Sequence, residues 1–362
     1  MKISTYSLVF TIFILLVFGI VILTSASSVV SFEYFNNSTH YLKHQLFFGI
    51  LPGVFIWFVL ANFDYHRFKK YSFFLLIINI LLLILVFFPS LGIAFGGAKR
   101  WVDFQLFSFQ PSEILKLTFI LYFSTWISER KIKERTLKYT FFPFVAIIGI
   151  ITLLMVLQPD IGTLGVILVV AFGLYFIAGA PWIYLIGIVM AGAGLLAYLV
   201  KSAPYRLSRV ATFLGISSDP QGVNYHINQA LLAIGSGGLF GLGLGKSRQK
   251  YSYLPEVEGD SIFAIACEEL GFLRILILLF LFLFLIYQGF KIAKKAPDDF
   301  GRFLAAGIMI WVAFQTFINI MAMLNLVPLT GLPLPFISYG GTALVVLMAG
   351  MGILTNIARK SL

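Results

Sequence analysis

Ten apolar runs set what this chain can become. They lie near 7–27, 44–61, 71–90, 111–127, 140–157, 161–179, 183–200, 262–290, 302–325 and 341–357. Each is about as long as a helix must be to cross the ~30 Å hydrocarbon core of a bilayer. A backbone in lipid has to satisfy every N–H and C=O internally, so continuous apolar runs of this length specify helices. Composition agrees: 60% of the 362 residues are hydrophobic and 11% are charged, against about 25% charged in soluble domains. Such a chain cannot cover a surface facing water. The expectation is an all-α polytopic membrane protein, one integral membrane domain over 1–362 with ten transmembrane helices.

Residues 1–27 begin with Met-Lys and end in Ser-Ala-Ser, which resembles a signal peptide, but the apolar core from Leu8 to Leu23 is long for one. A retained first helix is expected. An even number of spans puts both termini on one side. With the N-terminus inside, fifteen Lys and Arg residues fall in inner segments and nine in outer ones, six of those nine in the single long segment 201–260 between spans 7 and 8. The bias toward cytoplasmic positive charge therefore places both termini in the cytoplasm and 201–260 in a large extracytoplasmic loop. The net charge of +11 is accounted for by that bias and by anionic lipid; no nucleic-acid partner is expected. The four His residues are scattered without metal-ligand spacing, and the single Cys267 lies in an apolar segment as a core thiol.

Residues 235–250 read GSGGLFGLGLGKSRQK. Gly-Lys-Ser after glycines resembles a P-loop, yet the position five before Gly245 is Phe240, and no register gives GxGxxG. Composition still allows a backbone that closes around an anion, beside Lys246, Arg248 and Lys250. The outer loop also holds Lys201, Arg206 and Arg209. Positive charge outside runs against the topological bias; either an anionic ligand recruits it, or the loop is long enough to translocate regardless.

Ionisable groups in or near spans are costly and mark function or structural pairing. In AKRWVDFQLFSFQPSEILKL (98–117), Glu113 and Lys116 share a helix face and can pair; Lys99, Arg100 and Trp101 fit an interfacial anchor or a ligand site. In QPDIGT (158–163), Asp160 is a substrate-site candidate or the N-cap of the sixth span. Asp260 opens the eighth span, as an N-cap or as a carboxylate whose burial would raise its pKa toward neutrality. PLTGLPLPFISYGGT (328–342) breaks helical structure at membrane depth, so it should line a protein-enclosed cavity. Arg274 lies within the eighth span, where Glu268, Glu269 or a neighbouring helix can pair with it.

Taken in order, KRWVDFQLFSFQPSEILKL, QPDIGT, NQALLAIGSGGLFGLGLGKSRQKYSYLPEVEGDSIFA, EELGF and PLPFISYGGT resemble the SEDS family (shape, elongation, division and sporulation) along the whole chain. GLGLGKSRQKYSYLPE and the closing GILTNIARK are more similar to its division branch than to its elongation branch. The resemblance implies a peptidoglycan glycosyltransferase of the bacterial cytoplasmic membrane that polymerises lipid II at the outer face and releases undecaprenyl pyrophosphate. It places the essential acid on Asp260, and substrate-site positions on Arg100, Trp101, Glu113, Lys116 and Asp160. The flanks depart from the family pattern: Gly259-Asp260-Ser261 stands where Thr-Asp-Phe is common.

In that mechanism Asp260 is the general base toward the acceptor hydroxyl. Candidates to stabilise the leaving diphosphate are Arg100, Lys116, Arg206, Arg209, Lys246, Arg248 and Lys250, with backbone N–H groups of 235–245. A divalent cation, Mg or Mn, is compatible with such chemistry, though no ligand cluster identifies one. The resemblance also implies a class B penicillin-binding protein as partner, within divisome or elongasome assemblies. Two rival functions remain at this level: a lipid II flippase, and a scaffold needing neither Asp260 nor the outer cations.

Overall fold

In the computed structural model the described residues are 2–89, 91–95, 98–104, 108–129, 142–201, 204–213 and 223–361. The first half runs α1 (Lys2–Ala26), α2 (Ser28–Phe35), α3 (His40–Gln45), a π-helical turn Leu46–Ile50, α4 (Leu51–Asn62) and α5 (His66–Leu85). Strands β1 (Gly92–Phe95), β2 (Ala98–Asp103) and β3 (Ser108–Phe109) precede α6 (Pro111–Ser128), α7 (Phe142–Leu157), α8 (Ile161–Ile177) and α9 (Trp182–Lys201). Then come α10 (Pro204–Phe213), α11 (Val223–Ser236), α12 (Ile262–Lys294), α13 (Asp299–Met323) and α14 (Gly341–Lys360).

Nine of the ten apolar runs fall on a single helix, their described ends shifted by a few residues, and the run 44–61 covers the end of α3, the π-helical turn and α4. Among the described residues, seven helical stretches are long and apolar enough to cross a membrane: Thr5–Ala26, His40–Asn62, His66–Leu85, Trp182–Lys201, Ile262–Lys294, Asp299–Met323 and Gly341–Lys360. Phe144–Leu157 and Ile161–Ile177 are apolar but shorter, and α6 carries Glu113 and Lys116 in its first turns.

The centre of the bundle is α13, packed against α12, α6, α8 and α14. Of its apolar window 72% is buried, and 78% of that of α14, against 12% for α9. Two helices are therefore wrapped by protein while α9 presents most of its surface outward. α14 lies along α4 and is tied to α3–α4 at both ends. Gly340 N donates to Gln45 Oε1 (3.0 Å) at one end. At the other, Asn356 Nδ2 donates to Ala61 O (3.0 Å) and Arg359 to Asn62 Oδ1 (2.7 Å), beside a Lys360–Asp64 ion pair (2.5 Å).

Two expectations are corrected. The chain is not all-α: β1–β2–β3 form an antiparallel three-stranded sheet, registered Ile93 with Trp101 and Val102 with Phe109. Val102 is fully buried in it while Lys99 is exposed and Arg100 half-buried, the one-in, one-out pattern of a strand. Segment 201–260 is not a loop throughout, since α10 and α11 occupy much of it. α11 buries Ile227, Ala230 and Ala233 and exposes Asn228, Leu231 and Leu232. That is an amphipathic helix lying on the bundle, which a search for long apolar runs passes over.

α12 bends at Gly271 (φ 74°, ψ 172°). Residues 238–243 enter the bend and take over its backbone groups. Phe272 N donates to Gly238 O (2.9 Å) and Leu273 N to Leu239 O (3.1 Å); in return Leu242 N donates to Glu268 O (2.9 Å) and Gly243 N to Glu269 O (3.0 Å). A helix broken in a membrane protein must have its orphaned polar groups satisfied by neighbouring protein, and the glycine-rich stretch does this. A Cβ on Gly271 would collide with the Gly241 and Phe240 backbone, so glycine is required for the approach as well as for the positive φ.

Candidate active site

Asp260 sits in the turn before α12. Gly259 N and Ser261 N both bond to Glu256 O (3.0 and 3.2 Å), closing the turn. The cap position of α12 is Ser261, not Asp260, so the Asp260 carboxylate is not spent on the helix end. The turn that carries it is held through its backbone carbonyls. Asn319 of α13 donates through Nδ2 to Asp260 O and to Leu332 O, both at 2.8 Å. Ser338 Oγ donates to Gly259 O (2.7 Å), and Tyr339 N to Glu258 O (2.8 Å). The irregular segment 328–340 is thereby stitched to the turn that carries the acid.

Burial raises the Asp260 carboxyl to about 6, against the downward pull of the Arg209 guanidinium and the Ser261 hydroxyl. Burial likewise raises Glu256, helped by Asp260, and Glu258, helped by Glu256. A carboxylate poised near neutrality at a protein–water boundary suits proton abstraction. Arg209 of α10 donates to Leu329 O (3.0 Å), so it bridges α10 and the irregular segment while its charge acts on Asp260.

Beneath lies a second polar layer. Lys116 Nζ pairs with Glu113 (2.7 Å) and donates to Gln315 Oε1 (2.9 Å), 5.0 Å over the Trp311 ring. The pair is almost wholly buried, with side chains 1% and 4% exposed. Gln315 Nε2 continues to Pro333 O (2.9 Å). Gln315 and Asn319 stand one turn apart on α13, so a single helix face links the buried ion pair to Pro333, Leu332 and Asp260. A cavity of about 20 Å³ between Glu113, Trp311, Gln315 and Phe336 has room for one water.

The other sequence candidates separate from this group. Asp160 is the N-cap of α8, accepting from Thr163 N (3.3 Å), and it also takes Ser112 Oγ (2.8 Å) and Gln110 Nε2 (3.2 Å) from the start of α6. Arg100 donates to the carbonyls of Gln158 and Pro159. Together they fix the α7–α8 turn to the sheet and α6. Trp101 is half-buried in β2. Lys246 and Arg248 are exposed, while the Arg206 side chain lies outside the described residues.

Lys250 is a correction. It is 3% exposed and its ammonium meets Glu269 (3.1 Å), Gly245 O (2.7 Å) and Ser25 Oγ (3.2 Å). The anion cradled by this stretch is internal. Glu268 accepts from Ser247 Oγ (2.5 Å), Arg248 N (3.0 Å) and Gln249 N (3.4 Å), and Glu269 from Ser247 N (3.2 Å). A group burdened with a buried partner cannot also serve an outer ligand without leaving that carboxylate uncompensated. Arg274, for which Glu268, Glu269 or a neighbouring helix were the expected partners, donates to Phe240 O (3.0 Å).

A family model for the FtsW/RodA/SpoVE group, described as cell cycle protein, matches residues 6–362. This chain belongs to that family. Among its relatives, Stage V sporulation protein E of Bacillus subtilis (strain 168) is 39% identical over 96% of this chain and 95% of the relative. Probable peptidoglycan glycosyltransferase FtsW of Trichlorobacter lovleyi is 36% identical over 99% and 94%. A solved chain from "Structural coordination of polymerization and crosslinking by a peptidoglycan synthase complex" superposes with a TM-score of 0.80 at 26% identity, covering 98% of each chain. The FtsW/RodA/SpoVE membership agrees with the SEDS resemblance carried by the motifs.

Several members of the site had no signal of their own in the sequence. Asn319 and Gln315 were discoverable as two polar residues four apart in an otherwise apolar span. The contact of His226 with Ser261 (2.6 Å) was not, because it depends on which distant elements meet.

Proposed function

We propose that this chain is a peptidoglycan glycosyltransferase that polymerises lipid II at the outer face of the cytoplasmic membrane. The observation that carries the reading is Asp260: raised toward neutrality, free of capping duty, and borne on a turn whose backbone carbonyls are held by Asn319 and Ser338. Asp260 takes the proton of the acceptor sugar's 4-hydroxyl as its oxygen attacks the donor's anomeric carbon. The anomeric centre inverts to a β-1,4 link and undecaprenyl pyrophosphate departs. Arg209 is the cation best placed for the charge that develops. Lys246 and Arg248 stand exposed beside the α12 bend, roughly 12 Å along the helix from its start. They suit the incoming lipid headgroups better than the bond being made. A divalent cation remains part of the proposal only as a binder of diphosphate. Among the described residues no group of three or more His, Cys, Asp or Glu could hold one, so no step is routed through it.

In this reading all ten helices matching the apolar runs cross the bilayer, both termini are cytoplasmic, and α10, α11 and the Asp260 turn lie outside. The names of the FtsW relatives support a division role; the RodA branch of the same family is the alternative. A class B penicillin-binding protein is the proposed partner. The test is glycan-chain formation from labelled lipid II by purified protein in proteoliposomes. Asp260→Asn should lower the rate by on the order of 10²–10⁴; parent-level chains from that variant would show that another group removes the proton.

A further inference from the structure

Ser261 and His226 have no part in the mechanism above, yet they sit against its base. His226 Nε2 lies 2.6 Å from Ser261 Oγ, and Ser261 Oγ donates to Asp260 Oδ1 at 3.4 Å. We propose that His226 and Ser261 are positioning residues for Asp260: a hydrogen-bonded chain from imidazole through hydroxyl ends on Oδ1, orients the carboxylate, and leaves Oδ2 to meet the acceptor hydroxyl. The inference rests on Asp260 being the base.

The chain has a defined direction. The Ser261 hydroxyl carries one hydrogen; directed at Asp260, it needs a donor on its own oxygen. A neutral imidazole protonated at Nε2 provides one. Burial first, and Arg209 second, push His226 down to about 4, so it is uncharged wherever Asp260 is ionised. Ser261 is fully buried, and His226 is carried by α11, whose neighbouring Ile227 and Ala230 are buried. The 3.4 Å contact is long, as hydrogen bonds to catalytic groups often are before substrate tightens them.

The other carboxylate oxygen is treated differently. Among the described residues no side-chain donor meets Oδ2. Opposite it stands Gly331 at φ +69°, and a Cβ there would come to 3.9 Å from Oδ2. One oxygen is anchored and the other faces bare backbone. The charges that act on Asp260 are Arg209 from α10 and Glu258 and Glu256 from its own turn. Asn319 of α13 and His226 of α11 face the same turn without charge.

Lipid II polymerisation by the full-length protein in proteoliposomes tests this, with kcat and KM followed between about pH 5 and 8. Ser261→Ala and His226→Ala each remove a donor that favours the ionised carboxylate. Each should lower kcat about tenfold with KM little changed, and move the acid limb of the profile upward by about one pH unit. His226→Gln keeps an N–H donor and should recover most of the loss. Parent-like profiles for both alanine variants overturn the chain. So does a loss that leaves the acid limb in place and that glutamine does not rescue, since that pattern is a packing defect. Asp260→Asn run beside them separates the two levels. Activity in that variant removes the base assignment and the chain together, whereas an inactive Asp260→Asn with parent-like alanine variants removes the chain alone.

Discussion

Two residues show how this site trades stability for chemistry. The Asp260 carboxyl is raised above its ordinary value by burial, so its ionised form is less at ease in the folded chain than in the unfolded one. That penalty is absent below the ordinary carboxylate range and is fully present once pH has passed about 6. Asp260→Asn should therefore melt higher than the parent at pH 8, with the gap closing near pH 4, as read by thermal unfolding in detergent. A lower melting temperature at pH 8 would mean that the carboxylate is stabilising and the pKa direction wrong. Lys116 presents the opposite case. Its pair with Glu113 is sealed in the bundle, and truncating one partner leaves a bare charge, a loss of about 3–5 kcal/mol. Lys116→Met should strongly destabilise; Glu113→Gln with Lys116→Met should recover much of the stability without restoring polymerisation, because Gln315 Oε1 loses the Lys116 ammonium and keeps only the Trp311 indole as donor. Equal stability of the single and double variants would argue that the pair is solvated. The sequence made Glu113 and Lys116 visible because charge in an apolar run is conspicuous, and Asp260 because it opens a span and matches the acid of the family pattern. Arg100 and Asp160 were equally conspicuous, yet their work is to secure a turn, and spacing alone could not separate the two uses.

Among the elements, the glycine-rich stretch departs most from its appearance. Glycine, lysine and serine in that order promise a cradle for a foreign anion. The fold supplies the anions itself, Glu268 and Glu269, from a helix almost adjacent in space but twenty residues on in the chain. Long-range pairing of this kind leaves no local pattern. The prediction at this scale concerns Gly271. Gly271→Ala adds a methyl group where the bend has no space and at a φ that L side chains rarely adopt. The stretch 237–250 should be expelled, and limited proteolysis after Lys246 or Arg248 should become much faster than in the parent. Unchanged cleavage would show that the bend tolerates a side chain. The spans were legible because lipid demands long apolar runs; α11 and the small sheet were not, since each is short and only half apolar and gains its place from packing on the bundle.

At the scale of the whole molecule, order along the chain was legible and mutual arrangement was not. The ten runs could be counted, but nothing in them said that α13 and α14 are enclosed while α9 faces outward. That difference arises from small and polar residues on α13 and α14 meeting partners on α6, α8 and α4. It can be probed directly. A Cβ on Gly53 would stand 3.4 Å from Met348 Cβ, close to the spacing a disulfide needs. Gly53→Cys with Met348→Cys should crosslink α4 to α14 on oxidation and leave lipid II polymerisation unchanged, since α14 is already tied to α3–α4 at both ends. Loss of activity that reductant restores would show that they do.

The double tether between α14 and α3–α4 has a mechanical consequence. The α14 side of the Asp260 turn is braced at both ends of that helix, so any widening of the groove in the proposed reaction falls to elements less enclosed by protein, of which α9 is the most exposed.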